Sequence, residues 1–154
     1  MAMCKRIQCS FVMEGLPAPP REIFPLLCPV READWIPGWS ANLLWSRSGV
    51  AEPGALFTTP GPTGSPWIWH IVEHDAVAGR IRFSVTAPGS HLLDLVLGLE
   101  AAGEGARLAW TYTLLALTPE GETFLDAYEE AFRPKMELLE RRLRHWLRTG
   151  TLLT

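Results

Sequence analysis

From Lys5 to Leu117 the apolar residues fall mostly at every second position, and from Thr118 to Arg148 they recur three and four apart. The first spacing is that of strands, the second that of one long helix. Lys5 to Glu14 sets Ile7, Cys9, Phe11 and Met13 against Arg6, Gln8, Ser10 and Glu14, which predicts a half-buried first strand. Pro17, Pro19 and Pro20 then break the chain. Pro20 opens a short helix through Leu27, closed by Pro29, and a second helical turn covers Val30 to Trp35 and ends at Pro37-Gly38. Leu43 to Arg47, Ala55 to Thr59, Trp67 to Asp75, Gly79 to Thr86, Leu92 to Ala101 and Ala106 to Leu117 read as further strands. Clusters such as Pro60-Gly61-Pro62-Thr63-Gly64 and Pro88-Gly89 separate them. The sum is about seven strands joined by short turns, a largely antiparallel meander.

The closing helix carries its own punctuation. Thr118 is a capping residue, Pro119 stands at the first helical position, Glu120 and Glu122 fall in the first turn, and Gly150 is the stop. Its apolar stripe is Phe124, Tyr128, Ala131, Phe132, Met136, Leu139, Leu143, Trp146 and Leu147. The charged residues, Lys135 and the arginines 141, 142, 144 and 148 among them, are read as a solvated opposite face. Pro134 removes one backbone donor, so a kink near Ala131 to Arg133 or a division of the helix is expected there.

Alternation also assigns faces. Leu108, Trp110, Tyr112 and Leu114 share one side of the last strand, and Leu93, Leu95, Leu97 and Leu99 one side of the strand before it; both sets are placed toward the helix stripe. In the hairpin Trp67 to Thr86 the second strand is apolar at Ile81, Phe83 and Val85. A turn at Ala76 to Ala78 that pairs His74 with Arg80 sets Glu73, Ile71 and Trp69 beside them, an assignment that a bulge would reverse.

Composition narrows the class. The 154 residues, 47% hydrophobic, are read as one domain, 1–154. A net charge of −3 and a pI near 5.8 give no electrostatic case for nucleic acid. No apolar run is long enough for a membrane span, and Met1 to Arg6 lacks the apolar core of a signal peptide. Three cysteines with no metal spacing suit a reducing compartment, so a cytoplasmic location is expected. Seven tryptophans are many for this length, and rings of that size pack a small core with gaps unless the sheet bows away from the helix.

Few motifs carry chemistry. His70-Ile71-Val72-Glu73-His74 matches the H-x-x-E-H of some zinc peptidases, where two histidines one helical turn apart hold the metal. Here the segment is β-branched and aromatic, and on a strand residues four apart are separated by about 13 Å, too far to share an ion. No metal site is assigned. Glu73, placed inward, is a candidate acid or base whose pKa desolvation would raise, with Arg31 or Arg107 as a partner. Tyr112 is a second candidate, against a plain core role with its hydroxyl bonded to backbone. Nucleophile-elbow, dinucleotide, phosphate-loop and C-x-x-C motifs are missing, and no cofactor is assigned.

The order strand, two short helices, meander, long helix resembles the helix-grip fold of the START-like or SRPBCC superfamily, which includes polyketide cyclase/dehydrase-like and chaperone-activator-like proteins. Cys28-Pro29-Val30-Arg31-Glu32-Ala33-Asp34-Trp35-Ile36-Pro37-Gly38-Trp39 looks like the second short-helix segment of such proteins, and Leu117-Thr118-Pro119-Glu120-Gly121 like the start of their last helix. The resemblance spans roughly Lys5 to Arg148 and implies an α+β fold, a curved antiparallel sheet gripping the C-terminal helix around an apolar cavity. It implies a small hydrophobic ligand, a lipid, an aromatic or a polyketide-like molecule, held by Trp69, Phe83, Trp110, Tyr112, Phe132 and Met136, with Trp35 and Trp39 at the mouth. The alternatives are a cyclase or dehydratase using Glu73 and Tyr112, and an interaction module or homodimer, which would place tryptophans on the outer sheet face.

Overall fold

Each stretch of alternating sequence forms a strand in the computed structural model, which describes residues 4–154. The strands are β1 (Arg6–Leu16), β2 (Asn42–Trp45), β3 (Leu56–Thr59), β4 (Trp67–Asp75), β5 (Arg80–Ala87), β6 (His91–Ala102) and β7 (Gly105–Ala116). They make one curved, antiparallel sheet in the order β1-β7-β6-β5-β4-β3-β2. A meander from β2 to β7 with the first strand returned to its far edge gives that order, because short turns allow only antiparallel neighbours. Helix α1 (Pro20–Ile23) continues into a 3-10 turn at Phe24–Leu27, and a second 3-10 turn covers Arg31–Asp34. These short pieces form a lid whose Ile23, Leu26, Leu27 and Trp35 are buried.

Helix α2 (Pro119–Thr149) is 31 residues long and is not divided at Pro134. Pro134 and Glu130, whose carbonyl loses its donor, are both on the exposed side, where solvent replaces the missing bond. The ends are fixed as the sequence predicts: Thr118 Oγ1 accepts from the Gly121 amide at 3.0 Å, and Gly150 closes the helix in the left-handed region at φ 66°. Thr118 Oγ1 also donates to the Gly89 carbonyl, which ties the helix start to the turn before β6. The buried face runs through Gly121, Leu125, Phe132, Met136 and Leu143; Leu125 belongs to it and Ala131 is exposed, a small rotation from the predicted stripe. Near the other end Arg144 donates to the carbonyls of Glu14 and Gly15, so α2 is tied to the end of β1.

The β4–β5 hairpin departs from the simple expectation. Asp75 Oδ1 accepts from the amides of Val77 and Ala78, and this clasp makes Asp75, not His74, the residue opposite Arg80. His74 therefore faces Ile81 and Glu73 faces Arg82, and a bulge between Ile71 and Glu73 restores Ile71 opposite Phe83. Glu73 thus lies on the outer face, 40% exposed, in an ion pair with Arg80 at 2.9 Å. The inward carboxylate expected from strict alternation is corrected. The partners named for it are engaged elsewhere, Arg31 with Asp34 and Arg107 with Glu14 and Glu100. His74 takes the inner position, 4.9 Å from the Phe24 ring, while His70 stays exposed, so the H-x-x-E-H histidines sit on opposite sheet faces.

The start of α2 depends on one missing side chain. A Cβ on Gly121 would lie 1.9 Å from the Ser90 carbonyl oxygen, which also accepts from the Leu117 amide. Gly121→Ala should therefore push the first turn of α2 off the sheet and lower stability by about 1–3 kcal/mol, despite alanine's higher helix propensity. A thermal melt that rises in this variant would contradict that close approach.

Candidate functional site

Between the sheet's inner face, α2 and the lid lies a cavity of about 450 Å³. Its walls follow from the alternation. Phe57 of β3, Trp67 and Trp69 of β4, Phe83 of β5, Leu93 and Leu95 of β6, and Trp110 and Tyr112 of β7 all point inward from neighbouring strands. The rings brace each other: Phe57 stacks on Trp69 at 5.3 Å, and Phe83 meets Trp69 edge-on at 5.7 Å. Trp39 of the lid adds a third contact to Trp69 at 6.3 Å, held in place by its indole donating to the Pro29 carbonyl.

Into this apolar space project a few ionisable groups. Glu32, on the second lid turn, makes no side-chain hydrogen bond or ion pair among the described residues, and desolvation raises its pKa to about 8. Its area is only partly covered because one side faces the open cavity, yet protein surrounds that cavity, and this is what disfavours the carboxylate. At neutral pH the protonated form of Glu32 is favoured. Tyr112 is buried, and its hydroxyl has no hydrogen-bond partner among the described residues; burial chiefly, then Tyr128 and Glu32, push its pKa well up. From α2, Lys135 is reachable by solvent, but its ammonium lies 4.7 Å from the Tyr128 ring centre and 5.6 Å from that of Tyr112, donating to the Tyr128 hydroxyl at 3.3 Å. Burial of that ammonium lowers its pKa. His91, stacked on Phe124 at 4.4 Å, is held toward its neutral form by burial. Its Nε2 and the Trp110 indole nitrogen have no partner among the described residues.

No family model matches the chain, and no curated protein sequence matches it. Solved structures do. Norcoclaurine synthase from Thalictrum flavum superposes with a TM-score of 0.67 at 11% identity, over 96% of this chain and 97% of that one. An uncharacterised Rhizobium leguminosarum protein gives 0.66 at 16% identity over 96% and 99%, and Ara h 8.0201 gives 0.62 at 16% over 94% and 97%. A protein of the dynemicin biosynthetic locus gives 0.55 at 19% identity, over 98% of this chain but 49% of its own length. The chain has the START-like helix-grip fold.

Within that START-like frame the structure sorts the expected site residues. Trp39, Trp69, Phe83, Trp110 and Tyr112 meet around the cavity. Trp35 does not: it is fully buried inside the lid, its indole donating to the Leu26 carbonyl at 2.9 Å. Phe132 and Met136 pack behind the wall, Phe132 edge-on to Tyr112 at 5.2 Å, because the helix rotation that buries Leu125 turns them toward β1 and β7. Glu73 is outside altogether. Glu32, Tyr128, Lys135, His91 and Arg142 reach the cavity without having been singled out. Glu32 sits in a short polar turn that reads as surface, and Lys135 and Arg142 lie at the edge of the apolar stripe, where only the helix rotation decides their side.

The raised Glu32 pKa has a stability consequence. In the folded state the proton is held up to about pH 8, whereas the ordinary value is 4.5, so the contribution is fully present below about 4.5 and is lost as pH rises through about 8. Glu32→Gln should therefore gain on the wild type progressively between those limits, by an amount on the order of 5 kcal/mol over the whole range, read from denaturant midpoints along a pH series. Parallel pH profiles for the two proteins would show that Glu32 is not desolvated.

Proposed function

We propose that this chain binds a small, largely apolar and aromatic molecule in the cavity between sheet and helix. The observation that carries this reading is the cavity itself: about 450 Å³ walled by rings that brace one another instead of filling the space. Ligand sites are typically ~300–1,000 Å³, mostly apolar, with a few polar groups that orient the guest. Glu32, Tyr112, Lys135 and His91 are such groups. The fold neighbours support the reading in kind: the norcoclaurine synthase structure holds a transition-state analogue, and another neighbour comes from a biosynthetic locus. The tryptophans also favour it over an interaction module, since Trp39, Trp67, Trp69 and Trp110 line the cavity and Trp45 alone is among the exposed large apolar residues. Titration with the neutral dye N-phenyl-1-naphthylamine should give saturable binding that quenches tryptophan emission. Leu95→Trp, which fills the cavity from β6, should weaken it roughly tenfold or more while leaving the circular dichroism unchanged. Binding undiminished in that variant would place the dye elsewhere and sink the proposal.

A second reading is a cyclase or dehydratase, and the pairing of a protonated carboxyl with an unpartnered phenol in one cavity favours it. Glu32 takes the role first expected of Glu73. It delivers a proton to a departing hydroxyl, which leaves as water when the C–O bond breaks, and its carboxylate then takes the α-proton as the double bond forms, with Tyr112 donating a hydrogen bond to the same substrate. Activity of this kind falls as pH rises past about 8, where Glu32 ionises. Turnover of a polyketide-like substrate surviving Glu32→Gln with an unshifted pH profile would remove Glu32 from the chemistry.

A further inference from the structure

We infer that the molecule held in this cavity is an organic anion, a flat apolar body bearing one carboxylate, sulfonate or phosphate group that pairs with Lys135 and Arg142. The inference rests on the ligand-binding reading above and names the ligand's class. Lys135 and Arg142 are seven residues apart on α2, two turns and about 10 Å along one face, and both line the cavity with Leu138 and Leu139 between them. Neither makes an ion pair among the described residues. Elsewhere in the chain the basic groups that lose part of their solvent have acids beside them: Lys5 has Asp126, Arg107 has Glu14, and Arg144 has Glu140. Arg141 and Arg148, also unpaired, are exposed and off the cavity wall, whereas Arg142 is half-buried on it and Lys135, although exposed along part of its length, holds its ammonium against two tyrosine rings.

Among the described residues the one acid on the cavity wall is Glu32, which projects from the lid and forms no ion pair with either cation. Desolvation keeps it neutral, so it does not balance their charge. A protein of net charge −3 thus turns a positive interior toward its cavity. Partly desolvated cations without counter-charge are costly, and a bound anion removes that cost while its apolar part fills the aromatic end near Trp69 and Phe83. An amine ligand would meet two cations and a neutral acid and is disfavoured. The neutral carboxyl of Glu32 and the hydroxyl of Tyr112 can donate to the anion's oxygens as well.

The test compares 2-naphthoate with 2-naphthamide, which share shape and differ in charge, as displacers of bound N-phenyl-1-naphthylamine. Wild type should favour the acid by roughly tenfold or more, with the preference shrinking at high ionic strength. In Lys135→Met and in Arg142→Met, each checked for folding by circular dichroism, the preference ratio should fall toward one. Equal displacement by the two compounds in wild type, or a preference that both variants retain, overturns the anion inference while ligand binding stands. Failure of the neutral dye and of both naphthyl compounds to bind ends the ligand-binding reading, and this inference with it. Displacement by inorganic phosphate as effective as by naphthoate would show an ion site with no organic ligand and also overturns it.

Discussion

One helix cannot cover seven strands. At about 4.8 Å between neighbours the sheet is about 29 Å across, while a helix with its side chains is about 10–12 Å wide. In this chain α2 packs over β1 and β7, tied down by Arg144 at the end of β1 and by the Thr118 cap at the turn before β6, and its buried residues are Gly121, Leu125, Phe132, Met136 and Leu143. The inner faces of β3, β4 and β5 are left to be covered from elsewhere. The lid supplies part of that cover, through Trp39 on Trp69 and Phe24 on His74. What remains is the cavity, so the space is a consequence of the width of a sheet set against the width of a helix.

The same geometry explains why the polar groups are where they are. The lid and α2 reach over the uncovered strands from opposite sides, and each brings a few polar side chains: Glu32 from one, Lys135 and Arg142 from the other. A sheet this apolar on its inner face has little to offer a polar guest. Orientation of a ligand therefore falls to residues on the two covering elements, and affinity to rings on the strands. The arrangement keeps the ionisable groups at the border between low dielectric and open water, where modest displacements change their protonation most.

Most of the architecture could be read from periodicity, since the strands, the caps at Thr118 and Gly150 and the inward rows on β5, β6 and β7 all obey it. The site was less legible, for three physical reasons. The β4 bulge turns on the Asp75 clasp, a loop interaction that alternation does not register. The rotation of α2 by a fraction of a turn decides whether Lys135 and Arg142 face solvent or cavity, and hydrophobicity alone leaves such boundary positions undecided. Glu32 belongs to a turn of four polar or small residues, whose burial comes from the strands folded over it and not from its neighbours in sequence. Trp35 shows the converse: its place beside Pro37-Gly38 pointed to the mouth, and the Leu26 carbonyl claimed it for the lid's interior.

The Asp75 clasp reaches further than its own hairpin. Because side chains alternate, the phase of β4 is set at the loop, and the bulge after Ile71 is where that phase meets the one demanded by β5. Were the clasp released and the bulge after Ile71 lost, only the residues beyond it would shift by one position, so His74 and Glu73 would exchange faces with every wall residue from Trp67 to Ile71 unchanged. Whether an imidazole or a carboxylate lies beneath the lid, beside Phe24, is therefore encoded partly in a surface loop that touches neither ring.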